Sequence, residues 1–98
     1  MHVITRKRLS DFWRQHADAE AELRAWLRII QAKRYAEHLE VREDFPKADF
    51  VGPRTVVFNI RRNDYRLVVD IRYDMGRVFI RHIVTHAKYD RLIKKGLL

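Results

Sequence analysis

Three apolar-alternating runs joined by two short turns constrain this chain more than anything else in it. Residues 56–90 read VVFNIRRNDYRLVVDIRYDMGRVFIRHIVTHAKYD. Val56, Phe58 and Ile60 alternate with Val57, Asn59 and Arg61, and Tyr65, Leu67, Val69, Ile71 and Tyr73 alternate with Arg66, Val68, Asp70 and Arg72. A period of two puts each set on one face of a strand. The stretch is therefore expected to be an antiparallel meander with an apolar face and a face of arginines, an asparagine and an aspartate. The apolar face needs cover, which the first half of the chain is expected to supply.

That half carries helical periodicity. Leu9, Phe12, Trp13 and His16 recur at i, i+3, i+4 and i+7, and Leu23, Trp26, Leu27 and Ile30 form a cleaner stripe. Ala17-Asp18 breaks the pattern, and Asp18 is expected to cap the second helix. Both tryptophans belong to these stripes and read as core residues. A short helical segment is expected to end before Pro46, because a residue preceding proline disfavours the α region. His2 to Ile4 and Ala48 to Val51 read as short strands, and Gly52-Pro53 as a turn. With no repeats or linkers, the expectation is one α+β domain over residues 1–98: two N-terminal helices packed on a mainly antiparallel sheet, closed by a short C-terminal helix.

The turns suggest registers. A tight turn at Arg62-Asn63 pairs Ile60 with Tyr65, Phe58 with Leu67 and Asn59 with Arg66, with Asn63 the better tolerant of positive φ. A second turn centred on Met75-Gly76 would pair Ile71 with Ile80, Leu67 with Val84, Asp70 with Arg81 and Arg66 with Thr85. Asn59, Arg66 and Thr85 would then form a row across three strands, with Arg81 nearby. Thr85 is also placed to cap a terminal helix carrying His86, Lys88 and Tyr89, and a helix N-terminus favours phosphate.

Charge points the same way. Residues 1–53 hold ten Lys/Arg against nine Asp/Glu, whereas residues 54–98 hold eleven against four, so nearly all of the net +8 lies on the strand half. Such a field attracts polyanions without specifying catalysis. The absence of cysteine excludes disulfides and thiolate metal sites, and no two histidines have metal-motif spacing. MHVITRKR lacks a secretory apolar run, and no stretch approaches the ~20 residues of a membrane span. The expectation is a soluble cytoplasmic protein without cofactor or membrane association.

Arg66 offers a fork of donors suited to phosphate oxygens, with a salt bridge to a sheet carboxylate as the structural alternative. His86 could serve as a general acid or base, and Tyr89 could orient a proton transfer, stack on a base or simply pack. Arg81 is divided between a catalytic role and a structural pair with Asp70. Asn59, Thr85, Lys88, Arg61 and Arg62 are expected RNA contacts. His16 and His82 fall on apolar faces and read as structural. RNA cleavage by the substrate's own 2′-OH needs only phosphorane stabilisation, in-line positioning and two proton transfers. The same residues also suit a non-catalytic RNA- or ribosome-binding module, or a surface for an acidic protein partner.

The segments VVFNI, NDYRLVVDIRY and VFIRHIVTHAKYD, with the opening MHVITRKRLSDFW and DFPKADFVG, resemble the HigB branch of the RelE-like toxins of bacterial type II toxin–antitoxin systems. The resemblance covers residues 1 to about 91. It implies an mRNA interferase acting in the ribosomal A site and neutralised by a HigA-type helix-turn-helix antitoxin, with operator DNA bound only through the toxin–antitoxin complex. It also implies 2′-OH attack, with Arg66 at the scissile phosphate, Tyr89 aligning substrate and His86 where relatives place a basic residue. The lysine-rich general-base pattern of the RelE prototype is absent from these strands.

Overall fold

The computed structural model describes residues 1–97. In chain order the elements are β1 (His2–Ile4), α1 (Lys7–Gln15), a 3-10 turn (Ala17–Ala19), α2 (Glu20–Ala32), α3 (His38–Asp44), β2 (Asp49–Phe50), β3 (Thr55–Ile60), β4 (Tyr65–Arg72), β5 (Arg77–Thr85) and α4 (His86–Lys94). The strands form one sheet in the order β1-β5-β4-β3-β2, antiparallel except for the parallel β1–β5 pair at its edge.

The helical stripes bury where their spacing points. Leu9 of α1 and Leu23, Trp26 and Ile30 of α2 join Val56, Phe58, Ile60, Leu67, Val69, Ile71, Val78 and Ile80 in one core. Phe58 is its hinge: Trp26 meets its ring edge-on at 5.4 Å and Phe45 at 4.9 Å. Such edge-to-face contacts add to the area the rings bury.

The opposite face is not bare. Val57 and Val68 have no exposed surface yet lie outside that core cluster, and α4 packs against β4 and β5. The C-terminal helix therefore covers part of the polar face and brings its first turn beside it.

The first hairpin has the expected register, with Asn59 opposite Arg66 and Ile60 opposite Tyr65. Its turn differs in detail. Arg61 and Arg62, rather than Asn63, adopt positive φ, at 49° and 61°, a region costing non-glycine residues about 1 kcal/mol each. Neighbouring groups hold the turn: the Arg61 N–H donates to Glu22 Oε2 at 2.9 Å and Asp64 N–H to the Arg61 carbonyl at 3.1 Å.

The second hairpin departs from expectation. Ile71 pairs with Val78 rather than Ile80, and Leu67 with Ile83 rather than Val84. Thr85 stands opposite Tyr65, and Val84 takes the place expected for it beside Arg66. Two features cause the shift. Residues 73–76 form the loop, with Gly76 at φ 65° and Arg34 donating to the carbonyls of Tyr73 and Asp74. Further along, a bulge between Val68 and Val69 leaves Arg81 as the extra residue on β5. Strict alternation cannot put Ile80 and Ile83 on one face; the bulge does. It also turns His82 to the face shared with Val68, not the apolar side expected from its sequence position.

Asp18 is not the cap of α2, which begins after the 3-10 turn with Ala19 at its N-cap. Its carboxylate instead accepts a 2.6 Å hydrogen bond from the Tyr65 hydroxyl.

Because Leu67 is fully buried and Met75 is 42% exposed, Leu67→Ala should cost about 3 kcal/mol. Met75→Ala should stay within about 0.5 kcal/mol of the parent. Urea unfolding checks both; a cost below 1 kcal/mol at Leu67 would contradict this core.

Candidate active site

Arg66 occupies the middle strand of the sheet, with Asn59 beside it on β3 and Val84 on β5. It is only 9% exposed, the one buried charged residue of the described chain. Burying a guanidinium is costly unless its donors are satisfied. Here Nη1 donates to the Asn63 carbonyl at 2.8 Å, Nη2 lies 3.2 Å from His86 Nδ1, and the group sits 5.5 Å from the centre of the Tyr89 ring. Among the described residues no carboxylate pairs with Arg66. Its charge is thus offset by dipoles and a π-face alone, an arrangement that favours an incoming anion.

Thr85 places the next two groups. Its side chain accepts from the Lys88 N–H at 3.3 Å, capping α4 as its position after the strand suggests. The His86 N–H donates to the Asp64 carbonyl at 3.0 Å, which docks the start of α4 onto the first hairpin turn. The Asp64 carbonyl therefore ties the β3–β4 turn to α4, and the neighbouring Asn63 carbonyl accepts from Arg66.

His86 is anchored through both ring nitrogens. Nε2 is 3.2 Å from Asp90 Oδ2, and Nδ1 is 3.0 Å from the Asn63 carbonyl and 3.2 Å from Arg66 Nη2. An imidazole facing a carboxylate keeps its proton on that nitrogen. Neutral His86 therefore carries Nε2–H towards Asp90 and offers the Nδ1 lone pair to Arg66. The Asn63 carbonyl and Arg66 Nη2 thus meet the same ring nitrogen.

Tyr89, one turn further on, is partly buried. Burial chiefly, and then the Asp49 carboxylate, push its hydroxyl above the usual phenol range, with Arg66 opposing. It is a protonated donor at neutral pH.

The other sequence candidates are more dispersed. Arg81 pairs with Asp70 at 3.5 Å although the hairpin register sets Phe79 opposite Asp70, and no described contact joins it to Arg66 or His86. Asp70 also accepts from Thr55 at 2.7 Å, which makes that corner a structural network. Asn59 Nδ2 reaches the Lys47 carbonyl at 3.5 Å while its Oδ1 is buried without a partner. Arg61 faces Asp18 and Asp64 at 3.6 and 3.8 Å, and Arg62 is exposed in the same turn. Lys88 is exposed on the first turn of α4. His16 is structural as expected, stacking on Phe12 with centroids 4.3 Å apart. The partner of His86 was missed: Asp90 stands at i+4 on the same helix, a spacing that brings two side chains together.

Buried donors without a counter-anion, a histidine set by a carboxylate and a protonated phenol suit binding a phosphodiester and moving protons on it.

Residues 19–92 match the family described as HigB toxin, RelE-like toxic component of a toxin–antitoxin system. The mRNA interferase HigB of Escherichia coli O6:H1 is 27% identical, over 96% of this chain and 93% of its own length. The mRNA interferase toxin HigB of Escherichia coli K12 and the mRNA interferase HigB of Shigella flexneri are each 28% identical, over 92% of this chain and 88% of theirs.

Removing the α4 cap tests how the site is held. Thr85→Ala should cost about 1 kcal/mol and speed hydrogen exchange at the Lys88 amide more than at amides of α2. Unchanged exchange at Lys88 would rule out Thr85 as the anchor of this helix.

Proposed function

The chain belongs to the HigB family of RelE-like toxins of toxin–antitoxin systems, and from that premise we propose that it is an endoribonuclease cleaving mRNA at Arg66, His86 and Tyr89. The observation that carries the reading is Arg66, a guanidinium buried in the middle of a sheet with no carboxylate partner among the described residues and with His86 and Tyr89 against it.

The substrate's 2′-oxygen attacks the adjacent phosphorus, the bond to the 5′-oxygen of the next nucleotide breaks, and a 2′,3′-cyclic phosphate and a free 5′-hydroxyl result. Arg66 holds the non-bridging oxygens and stabilises the charge that grows on them, where a low-dielectric setting makes each donor count for more. As the phosphate takes the guanidinium, Nδ1 of His86 loses its contact with Nη2 and its lone pair becomes free for the 2′-OH proton. Asp90 holds Nε2–H throughout, so the imidazolium formed is stabilised on its far side. Tyr89, held in its protonated form, donates to the phosphate or to the departing 5′-oxygen. Asn59, Lys88 and Arg62 border the path of the strand, and Arg81, paired with Asp70, takes no part in the chemical step.

The encounter takes place in the cytoplasm on transcripts in the ribosomal A site, where an extended codon presents its 2′-hydroxyls. A HigA-type helix-turn-helix antitoxin neutralises the toxin, and operator DNA is met only through that complex. The net charge of +8 speeds binding to RNA.

Purified protein added to a translating extract is the test. Discrete cuts within codons are expected, falling by at least about 100-fold in Arg66→Ala, the scale of losing a transition-state donor, and falling as well in His86→Ala. Translation arrest with intact mRNA would instead make the protein a non-catalytic RNA- or ribosome-binding module.

A further inference from the structure

A second cationic feature lies one strand away from Arg66. β1 pairs with β5 only at Arg77, Val78 and Phe79, so the outer edge of β5 beyond Phe79 has no strand partner among the described residues. A cleft of about 350 Å³ runs along that edge between α1 and α4. Arg8 enters it from α1, Arg81 and His82 from β5, and Lys88 from α4, with Asp11 as its one carboxylate.

Several observations make this more than a basic surface. The bulge that makes Arg81 the extra residue of β5 lies beside the cleft, and bulges re-aim side chains where regular pairing cannot. Arg8 donates from Nη1 to the Arg81 carbonyl, holding its own guanidinium against the open edge. Neither Arg8 nor Lys88 has an ion-pair partner among the described residues, and Asp11 contacts Arg14 at 3.4 Å. His82 is half-buried amid these cations; burial first, then the charges of Arg81, Arg8 and Lys88, hold its imidazole below its ordinary value. Like charges gathered from three elements around a neutral histidine repel one another until an anion arrives. The cleft also adjoins the site already described. Val84 lines it and is the direct β5 neighbour of Arg66, and Lys88 lies on the first turn of the helix that carries His86.

We propose that this cleft, lined by Arg8, Arg81, His82 and Lys88, is a second phosphate-binding subsite for single-stranded RNA, taking a backbone phosphate next to the one held at Arg66. The inference rests on the RNA-cleaving reading above. The cleft supplies no reacting group: it sets the register of the strand, so its loss raises KM and leaves kcat nearly unchanged. An anion seated beside His82 reverses the effect of its cationic neighbours and raises its pKa. RNA binding should then take up a proton and tighten as pH falls below neutral.

Histidine-selective NMR on the full chain tests this, with a 2′-O-methyl trinucleotide that cannot be cleaved as the probe. His82 and His86 report the two sites separately. In the parent protein both resonances should move, and the His82 pKa should rise. In Arg8→Ala, and in Lys88→Gln on an exposed helix position, the His82 response should shrink while the His86 response persists. The slope of log affinity against log salt should lessen by about 0.7, the value for one phosphate contact on a single strand. Movement of His86 with His82 unaffected would overturn the subsite and leave the cleavage reading intact; no movement of either would overturn both. If inorganic phosphate saturates His82 as tightly as the trinucleotide does, the cleft is an independent anion site and the RNA assignment is wrong. A response to an acidic peptide but not to RNA would likewise overturn it, in favour of a protein partner.

Discussion

A guanidinium buried in the centre of a sheet is an expensive thing for a small domain to keep. The charge of Arg66 is withdrawn from water by β3 and β5 on either side and by Tyr89 across its plane. It is compensated by the Asn63 carbonyl and the His86 ring instead of a carboxylate. Replacing buried ionic groups with apolar ones of similar volume is often neutral or stabilising, so a stability role explains this side chain poorly. The proposed phosphate contact supplies a reason for it. The remaining architecture reads as support for that one residue: the first hairpin turn offers two carbonyls, one to Arg66 and one to the start of α4, and Thr85 fixes the helix that brings His86 and Tyr89 into place.

The two faces of the sheet divide the labour. One is closed by α1 and α2 around Phe58 and Leu67 and carries most of the folding free energy. The other is only partly closed, by α4, and keeps the polar groups that a packed core would exclude. Acidic residues in the first half of the chain are spent largely on structure: Asp18 on Tyr65, Asp44 on Tyr35 and Lys33, Glu22 on the strained turn at Arg61. The strand half keeps most of its positive charge available to a polyanion.

The sequence disclosed the two-faced meander, both helical stripes, the first hairpin register, the Thr85 cap and the family, because each is written in local periodicity or in a short motif. It did not disclose the second register. A bulge at Arg81 costs no distinctive residue type, and without it the alternation of Ile80 and Ile83 reads as noise. The expected row of Asn59, Arg66 and Thr85 failed at Thr85 because the 73–76 loop moves the register by two residues and the bulge restores only one of them. Asp18 looked like a cap because its spacing from the helical stripe was right, but Tyr65, distant in sequence, competes for its carboxylate. Asp90 was legible at i+4 from His86 and went unread, whereas the convergence of Arg8 with His82 depends on tertiary packing and carries no local signal.

The claim that Arg66 is buried for a phosphate separates stability from activity, and a single variant measures both. In Arg66→Met an apolar chain of comparable length replaces the charge. The expected result is a protein at least as resistant to chemical unfolding as the parent, with mRNA cleavage lower by at least about 100-fold. A variant that loses several kcal/mol of stability, with activity falling only as far as the folded fraction, would mean that Arg66 holds the sheet together. A variant that is stable and still cuts would mean that the scissile phosphate lies elsewhere.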